Sequence, residues 1–285
     1  MMTMNLVLQG PQAAPDTLAA IARLAGGARA HTIDAHALRC EAVPFSAELK
    51  AQVEQAAFDA GIDATFIEPG RTLRDFGLVA MDMDSTLITI ECIDEIADMQ
   101  GLKPQVSEIT EAAMRGELDF AASLTRRVAL LEGLEASALE RVYDERLRIS
   151  AGGEAMLQTV QAAGLKTLLV SGGFTFFTER LQQRLKLDFA HANVLEVANG
   201  KLTGKVVGGI VDAEEKKRTV QRVCEELGIS PAHAIVMGDG ANDLKMMGIA
   251  GLSVAFRAKP VVRAQASVAL NFSGLDGLLN ILAPQ

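Results

Sequence analysis

Three short apolar runs, each closing on a polar cluster, set the limits on what this chain folds into. Leu78 to Met81 precede Asp82-Met83-Asp84-Ser85-Thr86, Leu168 to Val170 precede Ser171-Gly172-Gly173-Phe174, and Ala234 to Met237 precede Gly238-Asp239-Gly240-Ala241-Asn242-Asp243. Runs of roughly four to eight apolar residues without alternation read as strands buried on both faces, as the parallel strands of α/β folds are. In an open parallel sheet the carboxyl ends of the strands line the ligand crevice. Carboxylates, a hydroxyl and the amine of Lys216, which lies between the second and third clusters, are therefore expected at one site.

Each piece alone is ordinary. An Asp after a strand is commonly a turn or cap residue. A calcium loop is excluded at residues 82–93, because Leu87 and Ile93 stand where that loop needs Gly and Glu. The conjunction of all the pieces, in this order, is what carries information. Asp82 and Asp239 bring hard oxygen donors with no His or Cys beside them, which suits Mg²⁺ and disfavours zinc.

A chain of 285 residues exceeds the usual single domain, so one large and one small domain are expected. Apolar residues make up 49% while aromatics supply only 4%, so the cores must be aliphatic. The formal charge of -9 leaves no footprint for nucleic acid or an anionic membrane. Cys40, Cys92 and Cys224 are widely spaced with no C-x-x-C pair, which points to reduced, buried thiols. With no basic leader and no apolar run of about 18 residues, a cytoplasmic protein is expected.

Residues 1–75 read as a small α+β module: strand 5–8, helix 16–24, strands near 30–33 and 37–43, helix 47–60 and strand 63–67. The βαββαβ order describes a ferredoxin-like fold. Glu68-Pro69-Gly70-Arg71 reads as a linker. Residues 76–285 form the second domain. Between its first two site segments the pattern is helical, at 90–99, 105–115, 120–131 and 136–146, so residues of about 91–150 read as an inserted lid. A helix at 175–185 follows, then strands 193–197 and 202–207 around Asn199-Gly200, a strong hairpin signal. A helix carrying Lys216 to Leu227, the strand ending at Gly238, a helix from Asn242 and strands 252–256 and 268–272 complete the pattern.

Asp82-x-Asp84-Ser85-Thr86, Ser171, Lys216 and Gly238-Asp239-x3-Asp243 resemble the four motifs of the haloacid dehalogenase superfamily of phosphatases. The resemblance covers residues of about 76–285 and implies a Rossmann-like parallel-sheet core with a helical cap. Residues 1–75 resemble, more faintly, the ACT domains that bind amino acids. That likeness raises serine binding and a homodimer as expectations, beside a plain docking role.

The activity implied is Mg²⁺-dependent hydrolysis of a phosphomonoester through an aspartyl-phosphate. Asp82 is the expected nucleophile and Asp84 the general acid and base, since i and i+2 positions at a strand's end can both face one crevice. The resemblance adds the Asp84 backbone carbonyl and Asp239 as metal ligands beside Asp82, with Asp243 behind them. It places Ser171, the Gly172 amide and Asn242 at the phosphate. On the residues alone Lys217 competes with Lys216 for the cationic role; the family spacing Asp212-Ala213-x-x-Lys216 favours Lys216. In the cap, Glu91 and Arg127 match positions for the ammonium and carboxylate of phosphoserine, with Met114 and Phe120 as an apolar shield. The implied reaction is conversion of O-phospho-L-serine to serine, the last step of serine biosynthesis. Alternatives are a phosphatase for another small ester such as phosphohomoserine, or a non-catalytic amino-acid sensor.

Overall fold

The computed structural model describes residues 2–27, 29–114 and 117–282. Its first elements are β1 (Thr3–Gln9), α1 (Pro15–Leu24), β2 (Arg29–Asp34), β3 (Ala37–Pro44), α2 (Ala47–Asp59), β4 (Asp63–Ile67) and β5 (Leu78–Met81). Four helices follow, α3 (Cys92–Asp98), α4 (Lys103–Met114), α5 (Phe120–Ala129) and α6 (Ser137–Arg141). Then come α7 (Gly153–Ala162), β6 (Lys166–Phe174), α8 (Thr175–Leu185), β7 (Phe189–Ala198), β8 (Lys201–Val207) and α9 (Ala213–Glu226). The chain closes with β9 (Ala234–Gly238), α10 (Leu244–Met247), β10 (Leu252–Phe256), α11 (Pro260–Arg263), β11 (Val268–Leu270) and α12 (Gly277–Ile281).

Among the described residues two sheets form, one in the order β2-β3-β1-β4 and one in the order β11-β10-β9-β5-β6-β7-β8. In the larger, β10 pairs in parallel with β9 and β11, and β6 in parallel with β7, while β8 returns antiparallel to β7. The apolar runs behave as expected: every residue of β5 and β9 is buried, as are Leu168 to Val170 within β6. Asn199 and Gly200 adopt φ of 53° and 76° in the β7–β8 hairpin, the left-handed pair that an Asn-Gly turn requires.

By contacts the chain divides into two compact units. One comprises Met1–Val79, Ala151–Lys166 and Ile229–Gln285, the other Ala80–Ser150 and Thr167–Gly228. In the first unit the antiparallel β2-β3-β1-β4 sheet, with α1 and α2, is the ferredoxin-like βαββαβ module. Leu6, Leu8, Leu18, Ile21, Cys40, Val53 and Phe66 fill its core, and α2 starts on Ser46, whose side chain accepts from the Leu49 amide at 3.1 Å.

The opposite face of that sheet is polar and still buried. Asp63 is 1% exposed and accepts the backbone amides of Asn271, Phe272 and Ser273, from the loop after β11, at 2.7 to 3.3 Å. Gln9 donates to the Gly277 carbonyl at 3.0 Å and Arg39 to the Asn280 carbonyl at 2.7 Å. A carboxylate this deep is tolerable because three N–H groups replace the water it gave up.

In the second unit, Ile88 and Ile149 form a bridge where the chain leads into and out of α3 to α6. One local expectation needs correction, and two further features were not foreseen. The helix expected over 136–146 is α6 followed by a wider turn, Val142–Arg146. Helix α7 was not anticipated. The Gly172-Gly173 pair stays within β6 instead of turning into α8, and a register shift between Val170 and Phe174 marks it as a bulge, a common place for strand glycines.

Asp63→Ala is expected to lower the unfolding free energy by about 3 kcal/mol, because it strands three buried donors. Urea denaturation of the purified chain checks this; a loss within experimental error would show that the three amide contacts contribute nothing.

Candidate active site

Asp82 directly follows β5 and is 5% exposed. Its Oδ1 accepts the Met83 amide at 2.7 Å, and its Oδ2 lies 2.9 Å from Lys216 Nζ. Lys216 is wholly buried. The reason lies in α9, which is capped by Asp212 accepting the Glu215 amide at 2.8 Å and buries Lys216, Thr219, Val220, Val223 and Cys224. Those positions follow the i, i+3, i+4, i+7 spacing of one helix face. Lys216 heads the stripe, while Lys217 falls off it, half-exposed and 3.8 Å from Glu214. Of the two lysines, Lys216 is the one beside Asp82.

After Asp82 the chain makes one wide turn, Met83–Leu87, with Ser85 in the left-handed region at φ 56°. A non-glycine residue there stores strain that its surroundings must hold. Ser85 Oγ donates to Glu91 Oε1 at 2.5 Å, and the Cys92 amide reaches Asp84 Oδ2 at 3.4 Å. Asp84 is partly open as a residue, yet its Oδ1 is buried and has no hydrogen-bond partner among the described residues. Burial first, and the nearby Glu91 carboxylate second, push the Asp84 carboxyl up to about 8, against the pull of Cys92 and Lys216.

Arg127 sits on α5, whose N-terminus is capped by Asp119. It is half-buried, and its Nε is a buried donor without a hydrogen-bond partner among the described residues. Burial lowers its pKa while Asp94, Glu91 and Asp84 act to raise it. Phe120, one helix face along from Arg127, lies over the β6 bulge: a Cβ on Gly172 would stand 2.8 Å from Phe120 Cζ. A Cβ on Gly173 would meet Met83 Cε at 2.8 Å and Ser171 Oγ at 3.0 Å. A side chain at either position would have to displace these groups. Met114 closes α4; its side chain lies outside the described residues.

The third cluster belongs to the other unit. Asp239 follows β9 and is half-buried. Asp243 is fully buried, and its Oδ2 accepts the Asp239 and Gly240 amides at 3.1 Å each, which ties the loop down. Asn242 stands in the same short turn, Ala241–Asp243. Within this unit Asp239 and Asp243 bring two carboxylates to one short loop. An all-carboxylate set matches a hard divalent cation. Cys40, Cys92 and Cys224 are free and buried.

Sequence reasoning missed Cys92 and Asn193. The first donates its amide to Asp84; the second is a lone amide in an otherwise apolar stretch of β7, which was the available signal.

Residues 76–251 match the haloacid dehalogenase-like hydrolase family, and the chain belongs to that family. A phosphoserine phosphatase of Polaromonas sp. is 54% identical over 227 residues, covering 78% of this chain and 96% of that protein. The crystal structure of a probable phosphoserine phosphatase from Vibrio cholerae aligns over 98% of this chain and 86% of its own at 36% identity, with a TM-score of 0.82. A phospho-aspartyl intermediate analogue of phosphoserine phosphatase, also 36% identical, covers 73% of this chain and 99% of its own with a TM-score of 0.69. No helix among the described residues is long and apolar enough to cross a membrane.

The raised Asp84 value fixes the sign of a pH effect in the metal-free protein. Between the ordinary carboxyl value of 3.8 and about 8, the folded chain keeps a proton that the unfolded chain has released. Its stabilising contribution is whole at low pH and is lost as pH rises through about 8. Urea unfolding across this range should therefore show a steeper decline for wild type than for Asp84→Asn, and Glu91→Gln should move the Asp84 carbon-13 titration downward. Parallel pH profiles for wild type and Asp84→Asn would contradict the assignment.

Proposed function

We infer that this chain hydrolyses O-phospho-L-serine to serine and phosphate with Mg²⁺ as its ion. The observation that carries the reading is Arg127: a half-buried cation, with an unfilled buried donor, set among Asp94, Glu91 and Asp84. Such a group suits a substrate that brings its own carboxylate. The names of the relatives described above point to the same substrate.

In this reading Asp82 attacks phosphorus and becomes an aspartyl-phosphate. Lys216 faces both the nucleophile and the transferring oxygens, whose negative charge is the main obstacle to an anionic attack. Asp84, carrying a proton near neutral pH, gives it to the departing serine oxygen. As a carboxylate it then takes a proton from the water that hydrolyses the intermediate. Ser171, the Gly172 amide and Asn242 hold the phosphate oxygens. Asp82, Asp239 and the Asp84 carbonyl would hold the ion, with Asp243 securing Asp239; when bound it neutralises phosphate charge and orients the ester. Residues 91–150 act as the cap: Glu91 receives the ammonium, Arg127 the carboxylate, and Met114 and Phe120 exclude water. The reading extends to a cytoplasmic setting and, with the βαββαβ order as support, to a serine-responsive role for residues 1–75 and a homodimer.

The test compares kcat/KM for phosphoserine, phosphohomoserine and an aryl phosphate that lacks both charged groups. Arg127→Ala should reduce the phosphoserine value by about two orders of magnitude, from the loss of one side of a buried charge pair, and leave the aryl phosphate nearly unchanged. Equal losses on both would mean that Arg127 supports the cap and does not recognise substrate. A wild-type preference for phosphohomoserine would replace the substrate.

A further inference from the structure

Asn193 is 1% exposed, and both ends of its amide are occupied. Nδ2 donates to the Gly172 carbonyl at 2.8 Å, and Oδ1 accepts the Val211 amide at 2.8 Å. Since one partner is an acceptor and the other a donor, a single orientation of the side chain satisfies both.

The Gly172 carbonyl belongs to the planar peptide whose N–H is that of Gly173, and the two point in opposite directions. That N–H donates to Ser171 Oγ at 2.8 Å. Asn193 thus grips one side of a peptide whose other side grips the serine. A hydroxyl has one hydrogen to give and lone pairs to accept with. With Gly173 engaging a lone pair, the Ser171 hydrogen is turned toward an arriving acceptor. Two adjacent glycines supply no side chain of their own to prevent this peptide from rotating.

At its other end Asn193 holds Val211, the residue before Asp212. Asp212 caps α9, and Lys216 lies in the first turn of that helix, 2.9 Å from Asp82. One buried amide therefore connects the phosphate cradle on β6 with the helix that delivers the buried ammonium.

We propose that Asn193 is a positioning residue for the phosphate site, setting Ser171 as a hydrogen-bond donor through the Gly172–Gly173 peptide and registering Lys216 through Val211. The proposal rests on the reading of Ser171 and Lys216 as phosphate-binding groups. It needs a measurement that turnover alone does not supply.

Calorimetric Kd for inorganic phosphate, with Mg²⁺ present, is measured on the full chain for wild type, Asn193→Ala and Asn193→Asp, beside thermal unfolding and KM for phosphoserine and an aryl phosphate. Asn193→Asp keeps an acceptor for Val211 but sets a carboxylate oxygen against the Gly172 carbonyl. Both variants should bind phosphate about tenfold more weakly, the effect of one buried hydrogen bond lost, and raise KM for the two esters in the same proportion. If Asn193→Ala does not fold, Asn193→Asp decides alone. An unchanged phosphate Kd with only a lower Tm would reduce Asn193 to a structural residue and overturn the proposal. Asn193→Asp at wild-type affinity would overturn the Gly172 arm. Wild type that binds phosphate yet does not turn over phosphoserine overturns the hydrolase reading while leaving the Kd comparison decisive for Asn193. No phosphate binding by wild type overturns both.

Discussion

The contact between Lys216 and Asp82 is the constraint on which the rest of the second unit depends. An ammonium that is wholly buried is tolerated only beside an opposite charge, and removing one side of such a pair costs about 3 to 5 kcal/mol. The pair therefore fixes α9 against the end of β5 and holds the Asp82 carboxylate in one orientation. It also divides two neighbouring acids by environment. Asp82 faces a cation, whereas Asp84 faces burial and Glu91 and is pushed up to about 8. Two carboxylates two residues apart thereby sit in opposite environments, as the proposed roles of attack and proton transfer require.

The proposed selectivity rests on a separate element. Helix α5 carries Phe120 and Arg127, and its register places the ring over Gly172 while the guanidinium looks toward Asp94, Glu91 and Asp84. The glycine and the ring are matched in size, since any Cβ at 172 would displace the ring tip. In the proposed reading, the groups for phosphate and for the amino acid therefore lie side by side.

Much of this was legible in the sequence. Unbroken apolar runs located β5, β6 and β9, because strands covered on both faces have no room for alternation, and Asn199-Gly200 located the hairpin because few other pairs accept its backbone. The first strand's carboxylates and the Gly238 to Asp243 loop were readable from their place after those runs. What escaped depends on contacts distant in sequence. On the residues alone Lys216 and Lys217 are equivalent, and the family spacing favoured Lys216, the one that the buried stripe of α9 carries. Helix α7 was overlooked despite Met156, Leu157 and Val160 lying on one face. The extension of β6 through Gly172-Gly173 follows from pairing Phe174 with Asn193, which no local pattern contains. Asp63 looked like an ordinary strand-end acid, and only the loop 271–273 explains its burial.

The central claim is that Asp82 takes the phosphoryl group. Mixing the Mg²⁺-loaded chain with phosphoserine, quenching in acid during turnover and mapping the peptides by mass spectrometry tests it most directly. A phosphoryl group on Asp82 that hydroxylamine removes, as it does from an acyl phosphate, is the expected result. A hydroxylamine-stable phosphate on Ser85 or Ser171 would contradict it.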